Sequence, residues 1–321
     1  FAPLDAPGPV GRFYDHWRPS AGIFVESELW PVTLSQGRAR TVPLALLNAR
    51  LSAKSVEAWV KASETATYVL DQFDLILTQN QKTAENLLSM GADPERVKAG
   101  SNLKATSAPL PIDAETLEQI QQDLNGRPVW VASSTHPGEE DIVLDAHQTL
   151  LRDHPALCLL LVPRHPERGD EVADLVRDRN LSCARRTADE RINSDTRIYM
   201  ADTLGETGTW YALTPLVFLG GSLLPIGGHN PFEPAQAGAA VITGPHVTNF
   251  AETFAPLFAS GGAIEVRDAT TLADAVALWL SDPNALQHAR AAARTCVAQQ
   301  EDRLNDVIET LCDKLGLDRN G

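Results

Sequence analysis

Residues 220–238, GGSLLPIGGHNPFEPAQAG, combine glycines with a histidine and a carboxylate at a spacing suited to phosphate binding. They follow the apolar run 216–219, which is typical of a covered parallel strand, and Gly227 and Gly228 let the backbone approach a ligand closely. A helix start after such a turn favours an anion, because its first N–H groups have no intrahelical partner. The glycines alone would favour an ordinary strand-to-helix turn; the HNPFEP continuation shifts the interpretation towards a binding site.

The HNPFEP residues supply the polar groups of this predicted site. The helix is predicted to begin near Asn230, with Pro231 in its first turn, where a missing N–H loses no intrahelical hydrogen bond. His229 and Glu233 would flank the anion. Glu233 could accept hydrogen bonds from the two hydroxyls of a ribose; alternatively, it only stabilises the start of the helix.

Two further polar clusters follow predicted strands, at the strand ends where open parallel sheets bind ligands. In SSTHPGEE, Ser133 and Thr135 offer hydroxyls and His136 a contact to an anion, with a helix cap as the alternative interpretation. In PRHPER, Arg164 and His165 could grip a carboxylate or a phosphate, with an ordinary surface loop as the alternative.

A third cluster, DTLGETGTWY, follows the predicted strand RIYMA. Its Thr203, Gly205 and Glu206 could meet a sugar or a base through hydrogen bonds. The same residue types are common in turns, so this cluster alone indicates little.

The first half of the chain carries two candidate acids, Glu26 and Glu28, in FVESELWP at the end of a predicted strand. Residues two apart on a strand share a face, so both carboxylates are predicted to point together, where one could act as a general acid or base. The alternative is a turn with solvated acids. Asn102 and Lys104, in SNLK, also follow a predicted strand and are candidates for the acceptor side of a site.

The elements that must position these residues alternate between strands and helices. Residues 21–51 are predicted to be two strands around a short polar stretch, and helical spacing follows over 52–73. The second half repeats the alternation, with strands predicted at RPVWVASS, ALCLLLVP, RIYMAD, PLVFLGG, AAVITG and GAIEV. Residues 106–125 are the predicted linker. We therefore expect an α/β protein of two Rossmann-like doubly wound domains, 1–112 (incomplete) and 126–321, with a cleft between them.

Composition limits the function. The chain of 321 residues has a formal net charge of −15 and a pI near 4.9, which argues against binding of nucleic acid. Cys158, Cys183, Cys296 and Cys312 show no paired spacing, which favours reduced thiols. No run of 18 apolar residues is present.

Several familiar motifs are absent from the sequence. It contains no G-x-G-x-x-G after a first strand, no P-loop and no G-x-S-x-G, which argues against a dinucleotide oxidoreductase, a P-loop NTPase and an α/β-hydrolase. The histidines of the polar clusters lie on separate loops without metal-ligand spacing, so contacts to an anion are expected rather than a metal site, and no cofactor is expected.

Taken in order, FVESELWP, NARLS, SNLK, SSTHPGEE, LVPRHPER, DTLGE, GGSLLPIGGHNPFEPAQAG and GPHVTNF resemble the 3-deoxy-D-manno-octulosonic acid (Kdo) transferases of lipopolysaccharide synthesis. The resemblance covers residues 13 to about 265. It implies a GT-B fold, with the acceptor bound mainly by the first domain and the nucleotide sugar mainly by the second. It also implies inverting, metal-independent transfer of Kdo from CMP-Kdo to a lipid A precursor (lipid IVA) at the cytoplasmic face of the bacterial inner membrane.

The same resemblance implies which residues would hold CMP-Kdo. They are Arg164, His165, Gly205, Glu206, Gly227, Gly228, His229, Asn230 and Glu233, with Asn249 of GPHVTNF nearby.

The family normally begins with a hydrophobic membrane anchor and a loop that carries the general base. Nothing before Phe13 matches that loop, so an amino-terminal piece, and with it the main base and the membrane contact, is expected to be missing. Glu26 and Glu28 would then be supporting acids.

Two alternatives stay open at this point. One is a noncatalytic module that binds a nucleotide sugar, and the other is a different GT-B enzyme that uses a UDP-sugar. The fold alone cannot separate them.

Overall fold

A computed structural model describes residues 2–100 and 108–317. The chain divides into two compact units, one of Phe1–Thr106 with Gln300–Gly321 and the other of Ser107–Gln299.

The first unit is a parallel sheet of four strands in the order β1-β2-β3-β4, with helices in the connections. Every residue of β2 and β3 is buried, as expected for strands that are covered on both faces. The elements are α1 (Pro7–Trp17), β1 (Gly22–Val25), α2 (Pro31–Ala39), β2 (Leu44–Ala49), α3 (Ala53–Lys61), α4 (Ser63–Leu70), β3 (Leu75–Thr78), α5 (Gln81–Ser89) and β4 (Val97–Ala99).

Two helices of this unit were not predicted from the sequence. The proline-rich start forms α1, and the polar stretch between the first two strands is α2 rather than a turn. Pro7 and Pro31 begin these helices, where proline's fixed φ and missing N–H suit the first turn. A helical connection is also what a parallel pair of strands needs, because a short turn cannot return the chain to the same end of the sheet.

The second unit is a parallel sheet of seven strands in the order β11-β10-β9-β5-β6-β8-β7. Its elements are α6 (Ala114–Leu124), β5 (Val129–Thr135), α7 (Glu139–Asp153), β6 (Cys158–Pro163), a 3-10 turn (Pro166–Arg168), α8 (Gly169–Asp178), β7 (Cys183–Arg185), β8 (Ile198–Met200), α9 (Thr207–Leu213), β9 (Leu216–Leu219), α10 (Phe232–Gln236), β10 (Ala240–Thr243), α11 (Ala251–Ser260), β11 (Ala263–Glu265), α12 (Ala269–Ser281) and the start of α13 (Pro283–Leu315). All six predicted strands are present, and β7 was not predicted.

Both faces of this sheet are covered by apolar packing. Trp130 and Phe218 pack in the core on one face, and Val131 and Val217, one residue along each strand, pack in the core on the other. The fold is therefore a doubly wound sheet, as the alternation of strands and helices predicted.

The predicted linker is largely helical, because 114–124 form α6. The Asp113 carboxylate caps this helix by accepting hydrogen bonds from the backbone N–H groups of Glu115 and Thr116. Thr116, Ile120 and Leu124 are buried at intervals of four residues. Because this buried stripe is narrow and the rest of the segment is polar, a linker rather than a packed helix was predicted here.

The compact units differ from the expected domains 1–112 and 126–321 at both ends of the second domain. The helix α6 belongs to the second unit, and residues 300–321 belong to the first. Helix α13 passes from one unit to the other, and its Leu311 and Leu315 share a core with Leu47 and Leu77 of the first sheet.

Within the described ranges, no helix has both the length and the apolar character needed to cross a membrane.

Candidate functional site

Two of the predicted clusters meet at the point where the strand order of the second sheet reverses. Strand β5 lies between β6, which follows it in the chain, and β9, which comes much later. Ser133 pairs with Leu219 across β5 and β9, and the N–H of Gly220 donates to the carbonyl of Ser133 over 2.8 Å. In open parallel sheets this reversal opens a crevice at the carboxyl ends of the strands, where ligands bind.

The loop that leaves β9, residues 220–228, is called the glycine turn below. Gly221 has φ +66°, and a Cβ there would lie 2.9 Å from the ring of His229. Gly227 has φ +116°, and a Cβ there would lie 2.3 Å from Nδ2 of Asn249. The N–H of Asn249 donates to the carbonyl of Gly227 over 3.0 Å, so the glycines let the turn close against the residues around it.

The first N–H groups of the glycine turn already have a partner inside the protein. The N–H groups of Gly221, Ser222 and Leu223 all donate to the carboxylate of Glu139, over 2.7, 2.9 and 2.8 Å. The anion that these three groups hold is thus the protein's own side chain.

The helix after the turn is short and begins two residues after Asn230. Helix α10 begins at Phe232 rather than near Asn230, and it has five residues. Asn230 lies before it, and its Oδ1 accepts a hydrogen bond from the N–H of Phe232 over 3.1 Å. A helix of this length has a weak macrodipole, so side chains must supply most of the attraction for an anion.

Two histidines from different loops lie together at the strand ends. His136, after β5, and His229, after the glycine turn, are joined by a hydrogen bond of 3.0 Å between their Nε2 atoms. His165, after β6, packs edge-on against His136 with ring centroids 5.7 Å apart. One Nε2 of the bonded pair must be protonated and donate the hydrogen bond, and the other must be unprotonated and accept it. We call His136 and His229 the histidine pair.

Burial favours the neutral form of both rings of the histidine pair. Burial, with the neighbouring His136 and Arg164, lowers the pKa of His229 to about 4. Burial also lowers the pKa of His136, against the opposing effect of Glu139. A bound phosphate would favour the protonated form of either ring, because an opposite charge stabilises the charged state.

Arg164 stands beside this pair. Its backbone N–H donates to the carbonyl of Thr135 over 2.9 Å, which fixes the start of its loop against β5. Its side chain is exposed and makes no hydrogen bond or ion pair with any residue that the structure describes. The guanidinium is therefore available to a ligand.

Glu233 is a half-buried carboxylate close to the same loops. Burial raises its pKa, while Asn230 and Arg164 act in the opposite direction. The buried hydroxyl of Tyr211 is 2.9 Å from Oγ of Ser133, and the charge of Glu233 adds to the effect of burial in raising the pKa of Tyr211. Tyr211 was not singled out from the sequence, since a tyrosine inside a short apolar helix resembles ordinary core.

Glu206 lies in the loop after β8, directly before helix α9, and is held in an ion pair. Its carboxylate accepts hydrogen bonds from Arg186, the shortest 2.7 Å, and from the hydroxyl of Thr203. Burial alone would raise the pKa of Glu206, but these hydrogen bonds outweigh it and lower the pKa. Gly205 is exposed with φ +83° and open space around it. The contacts of Glu206 are thus with Arg186 and Thr203, not with the histidine pair.

In the first unit, the expectation that Glu26 and Glu28 share a strand face is wrong. Strand β1 ends at Val25, and Glu26 turns the chain with φ +64°. Its backbone N–H still donates to the carbonyl of Leu47, over 2.9 Å. Glu28 is exposed and accepts a hydrogen bond from Nε1 of Trp30. The period-two rule fails here because a left-handed residue ends the strand.

The other predicted residues of the first half, Asn102 and Lys104, lie outside the described residues. Among the residues that are described, no group of three or more histidine, cysteine or acidic side chains is arranged to hold a metal ion.

Comparison with solved structures defines the class of fold. A UDP-GlcNAc 2-epimerase from Neisseria meningitidis, bound to UDP-GlcNAc, superposes with a TM-score of 0.60 at 13% identity, over 95% of this chain and 79% of that chain. The similarity shows a GT-B fold of two Rossmann-like domains.

Comparison with sequences defines the family. The family model for 3-deoxy-D-manno-octulosonic-acid transferase (kdotransferase) matches residues 1–107. The 3-deoxy-D-manno-octulosonic acid transferase of Haemophilus influenzae is 35% identical over 329 aligned positions, which cover 100% of this chain and 75% of the relative. That of Bordetella pertussis is 33% identical and covers 98% and 74%. The chain belongs to the Kdo transferase family.

A solved structure that covers part of this chain matches it at higher identity. The C-terminal CMP-Kdo binding domain of WaaA from Acinetobacter baumannii is 34% identical, with a TM-score of 0.55, over 57% of this chain and 96% of that domain.

Proposed function

We propose that this protein transfers Kdo from CMP-Kdo to a lipid A precursor, lipid IVA, at the cytoplasmic face of the bacterial inner membrane. The transfer inverts the anomeric carbon and uses no metal ion. The acceptor hydroxyl attacks C2 of Kdo, its proton passes to a base, and CMP leaves with the electrons of the broken bond. Membership of the Kdo transferase family supports the reaction, and the finer details are part of the proposal.

The observation that carries the proposal is the histidine pair at the strand ends of a unit that resembles a CMP-Kdo binding domain. The phosphate of CMP gains negative charge as the bond to Kdo breaks. His229, held in its pair with His136, and the exposed guanidinium of Arg164 are proposed to supply donors for that charge. His165, with an exposed side chain, and Asn249, against the glycine turn, are proposed to complete the contacts to the donor.

The remaining donor contacts are assigned to the nucleoside and the sugar. Glu233 is proposed to accept hydrogen bonds from the ribose hydroxyls, since its carboxylate is half-buried and lies near Asn230. Ser133 and Thr135, in the last residues of β5, and Gly205, in the loop between β8 and α9, are proposed to border the donor. Glu206 would contribute through its ion pair with Arg186.

The acceptor is assigned to the first unit. Glu26 and Glu28 are proposed as supporting acids for the acceptor hydroxyl, and Asn102 and Lys104 as groups on the acceptor side. These assignments rest on the sequence pattern and the family, and the binding experiment below does not depend on them.

The proposal is tested by calorimetric titration of the chain with CMP and, separately, with UMP. We expect saturable binding of CMP and weaker binding of UMP. His229→Ala should weaken CMP binding by about tenfold or more, because hydrogen bonds to charged groups contribute ~1.5–3 kcal/mol.

The matched control is His288→Ala, which removes an exposed histidine from helix α13 in the same unit. It should bind CMP as the wild type does. Preference for UMP would instead favour a UDP-sugar enzyme, and equal loss in both variants would remove His229 from the site.

A further inference from the structure

Glu139 is a fully buried acid whose carboxylate accepts four hydrogen bonds from the backbone. Its Oε2 accepts from the N–H groups of His136, over 3.0 Å, and Gly221, over 2.7 Å. Its Oε1 accepts from those of Ser222, over 2.9 Å, and Leu223, over 2.8 Å. Four N–H donors satisfy the acceptor capacity of an ionised carboxylate, so its burial is balanced by hydrogen bonds.

These four bonds connect the two loops that carry the histidine pair. One of them holds the backbone of His136 itself. On the other side, the carbonyl of Gly221 accepts from the N–H of Gly228, the residue before His229, over 2.7 Å. Glu139 is therefore connected to both members of the pair: it bonds to the backbone N–H of His136, and it is linked to His229 through Gly221 and Gly228 of the glycine turn.

The geometry points to Glu139 as a positioning residue for the donor phosphate: it holds the glycine turn against the loop after β5, so that His136 and His229 meet in the conformation that receives the phosphate. This inference rests on the proposed function, because it assumes that the histidine pair binds the phosphate of CMP. Glu139 is 0% exposed, and it acts on the ligand only through the two loops.

Two opposing effects of the carboxylate must be weighed. Its negative charge repels a phosphate nearby, whereas its hydrogen bonds fix the groups that bind the phosphate. The four N–H dipoles and the amino-terminal end of helix α7 offset the charge locally. The charge of Glu139 is offset by its four donors, whereas loss of its hydrogen bonds would disturb both histidine loops together, so positioning should prevail.

Glu140 provides a matched control in the next position of α7. It is also 0% exposed, but its carboxylate bonds to Arg168 over 2.7 Å, in the 3-10 turn that follows Arg164 and His165, and not to either loop of the histidine pair. Glu139→Gln and Glu140→Gln each neutralise one buried acid in the same helical turn. Only the first places an amide NH₂ against the N–H donors of the glycine turn and the loop after β5.

The test is calorimetric titration of CMP into the wild type, Glu139→Gln and Glu140→Gln. We expect Glu139→Gln to weaken CMP binding by about tenfold or more, because it disturbs both histidine loops, and Glu140→Gln, which disturbs only the turn that carries Arg168, to weaken it clearly less. Equal affinities for the wild type and Glu139→Gln, tighter binding by Glu139→Gln or equal losses in both variants would overturn the inference.

A second measurement uses the unliganded protein, so it does not depend on CMP. The ring-nitrogen NMR signals of His136 and His229 should shift in Glu139→Gln and stay in place in Glu140→Gln. If the wild type binds no CMP, the proposed function fails, and these signals still decide whether Glu139 positions the pair. Unchanged signals in Glu139→Gln would overturn that role.

If Glu139→Gln does not fold, Glu139→Asp serves in its place. It keeps the charge but withdraws the carboxylate by about 1.5 Å, one carbon–carbon bond, so it cannot reach all four donors. We expect weakened CMP binding and shifted histidine signals. Wild-type affinity and wild-type signals in Glu139→Asp would overturn the inference.

Discussion

At the scale of the residue, His147 illustrates how burial fixes the protonation state of a side chain in this protein. The indole N–H of Trp130 donates to its Nδ1 over 3.2 Å, and its Nε2 is 3.1 Å from the carbonyl of Arg197. This arrangement suits a neutral ring that accepts at Nδ1 and donates at Nε2. Burial lowers the pKa of His147 to about 4.

The stability of the protein should therefore fall as the pH is lowered from 7 to 5. Above about pH 6.5, His147 is neutral in both states; below it, the unfolded chain takes up a proton that the folded protein excludes until about pH 4. His147→Gln should remove about 2 kcal/mol of the decrease in unfolding free energy between pH 7 and pH 5.

Urea titrations at the two pH values measure this effect. His288→Gln, at an exposed position of α13, is the control and should keep the wild-type pH dependence. If His147→Gln also keeps the wild-type pH dependence, His147 does not account for the predicted part of the decrease in unfolding free energy.

The histidine pair has the same dependence on its surroundings. His136 and His229 are 93 positions apart in the chain, yet their rings share a hydrogen bond. Each was predicted from its own loop as a contact to an anion. Their direct contact with each other could not be read from either loop, because it depends on which strands are neighbours.

At the scale of the element, the glycine turn decides whether the two loops can meet. Gly221 has a positive φ and no room for a Cβ, since His229 would lie 2.9 Å away and His136 3.5 Å away. Position 221 therefore requires glycine for two reasons: its backbone conformation is left-handed, and the histidine pair leaves no space for a side chain.

Gly221→Ala should lower the unfolding free energy by about 1–3 kcal/mol more than Gly261→Ala does. Gly261 has a similar φ, +77°, but nothing within 4 Å of the position of its Cβ. Both substitutions introduce strain of about 1–2 kcal/mol from the left-handed conformation, and only the first adds the overlap. Urea titration measures the difference.

The same two variants should also differ in CMP binding. Gly221→Ala should weaken it, because the added methyl group displaces His229, and Gly261→Ala should leave it unchanged. If the two variants lose equal stability and bind CMP equally, the turn has more room than the structure indicates.

At the scale of the whole molecule, the last helix ties the end of the chain to its beginning. Leu311 is 9% exposed and Leu315 4% exposed, and both share a core with Leu75 of β3. The first unit is therefore complete only with residues from the carboxyl end of the chain.

Leu311→Ala should destabilise the first unit by about 2–4 kcal/mol, as expected for truncation of a leucine in a core. Ile308→Ala, in the same helix at 48% exposure, should change stability by less than about 1 kcal/mol. Hydrogen exchange of the amides of β2 and β3 should become faster in Leu311→Ala, with β9 as the internal reference. Equal exchange in both variants would mean that α13 does not stabilise this sheet.

The family, the GT-B fold and most strands were predictable from the sequence. The six predicted strands of the second half are present in the structure. Short apolar runs between turn residues suit a sheet that is covered on both faces, and this holds whichever strands lie beside them in the sheet. The elements that were missed are β7 and the helices α1, α2 and α6, and the three helices have mixed or polar sequences with narrow buried stripes. Glu26 was wrongly placed on a strand. Its own left-handed conformation ends the strand, and the spacing of apolar residues does not reveal such a turn.

The arrangement of the parts of the candidate site became visible only in the folded protein. The amino-acid sequence was enough to predict that a strand, a glycine turn and the polar residues of HNPFEP follow one another, because local spacing governs backbone conformation. It could not show that Glu139 occupies the N–H groups of Gly221, Ser222 and Leu223, which lie 82 to 84 positions later. Those contacts exist because β9 packs beside β5, and strand order is set by the packing of the whole sheet rather than by any local pattern.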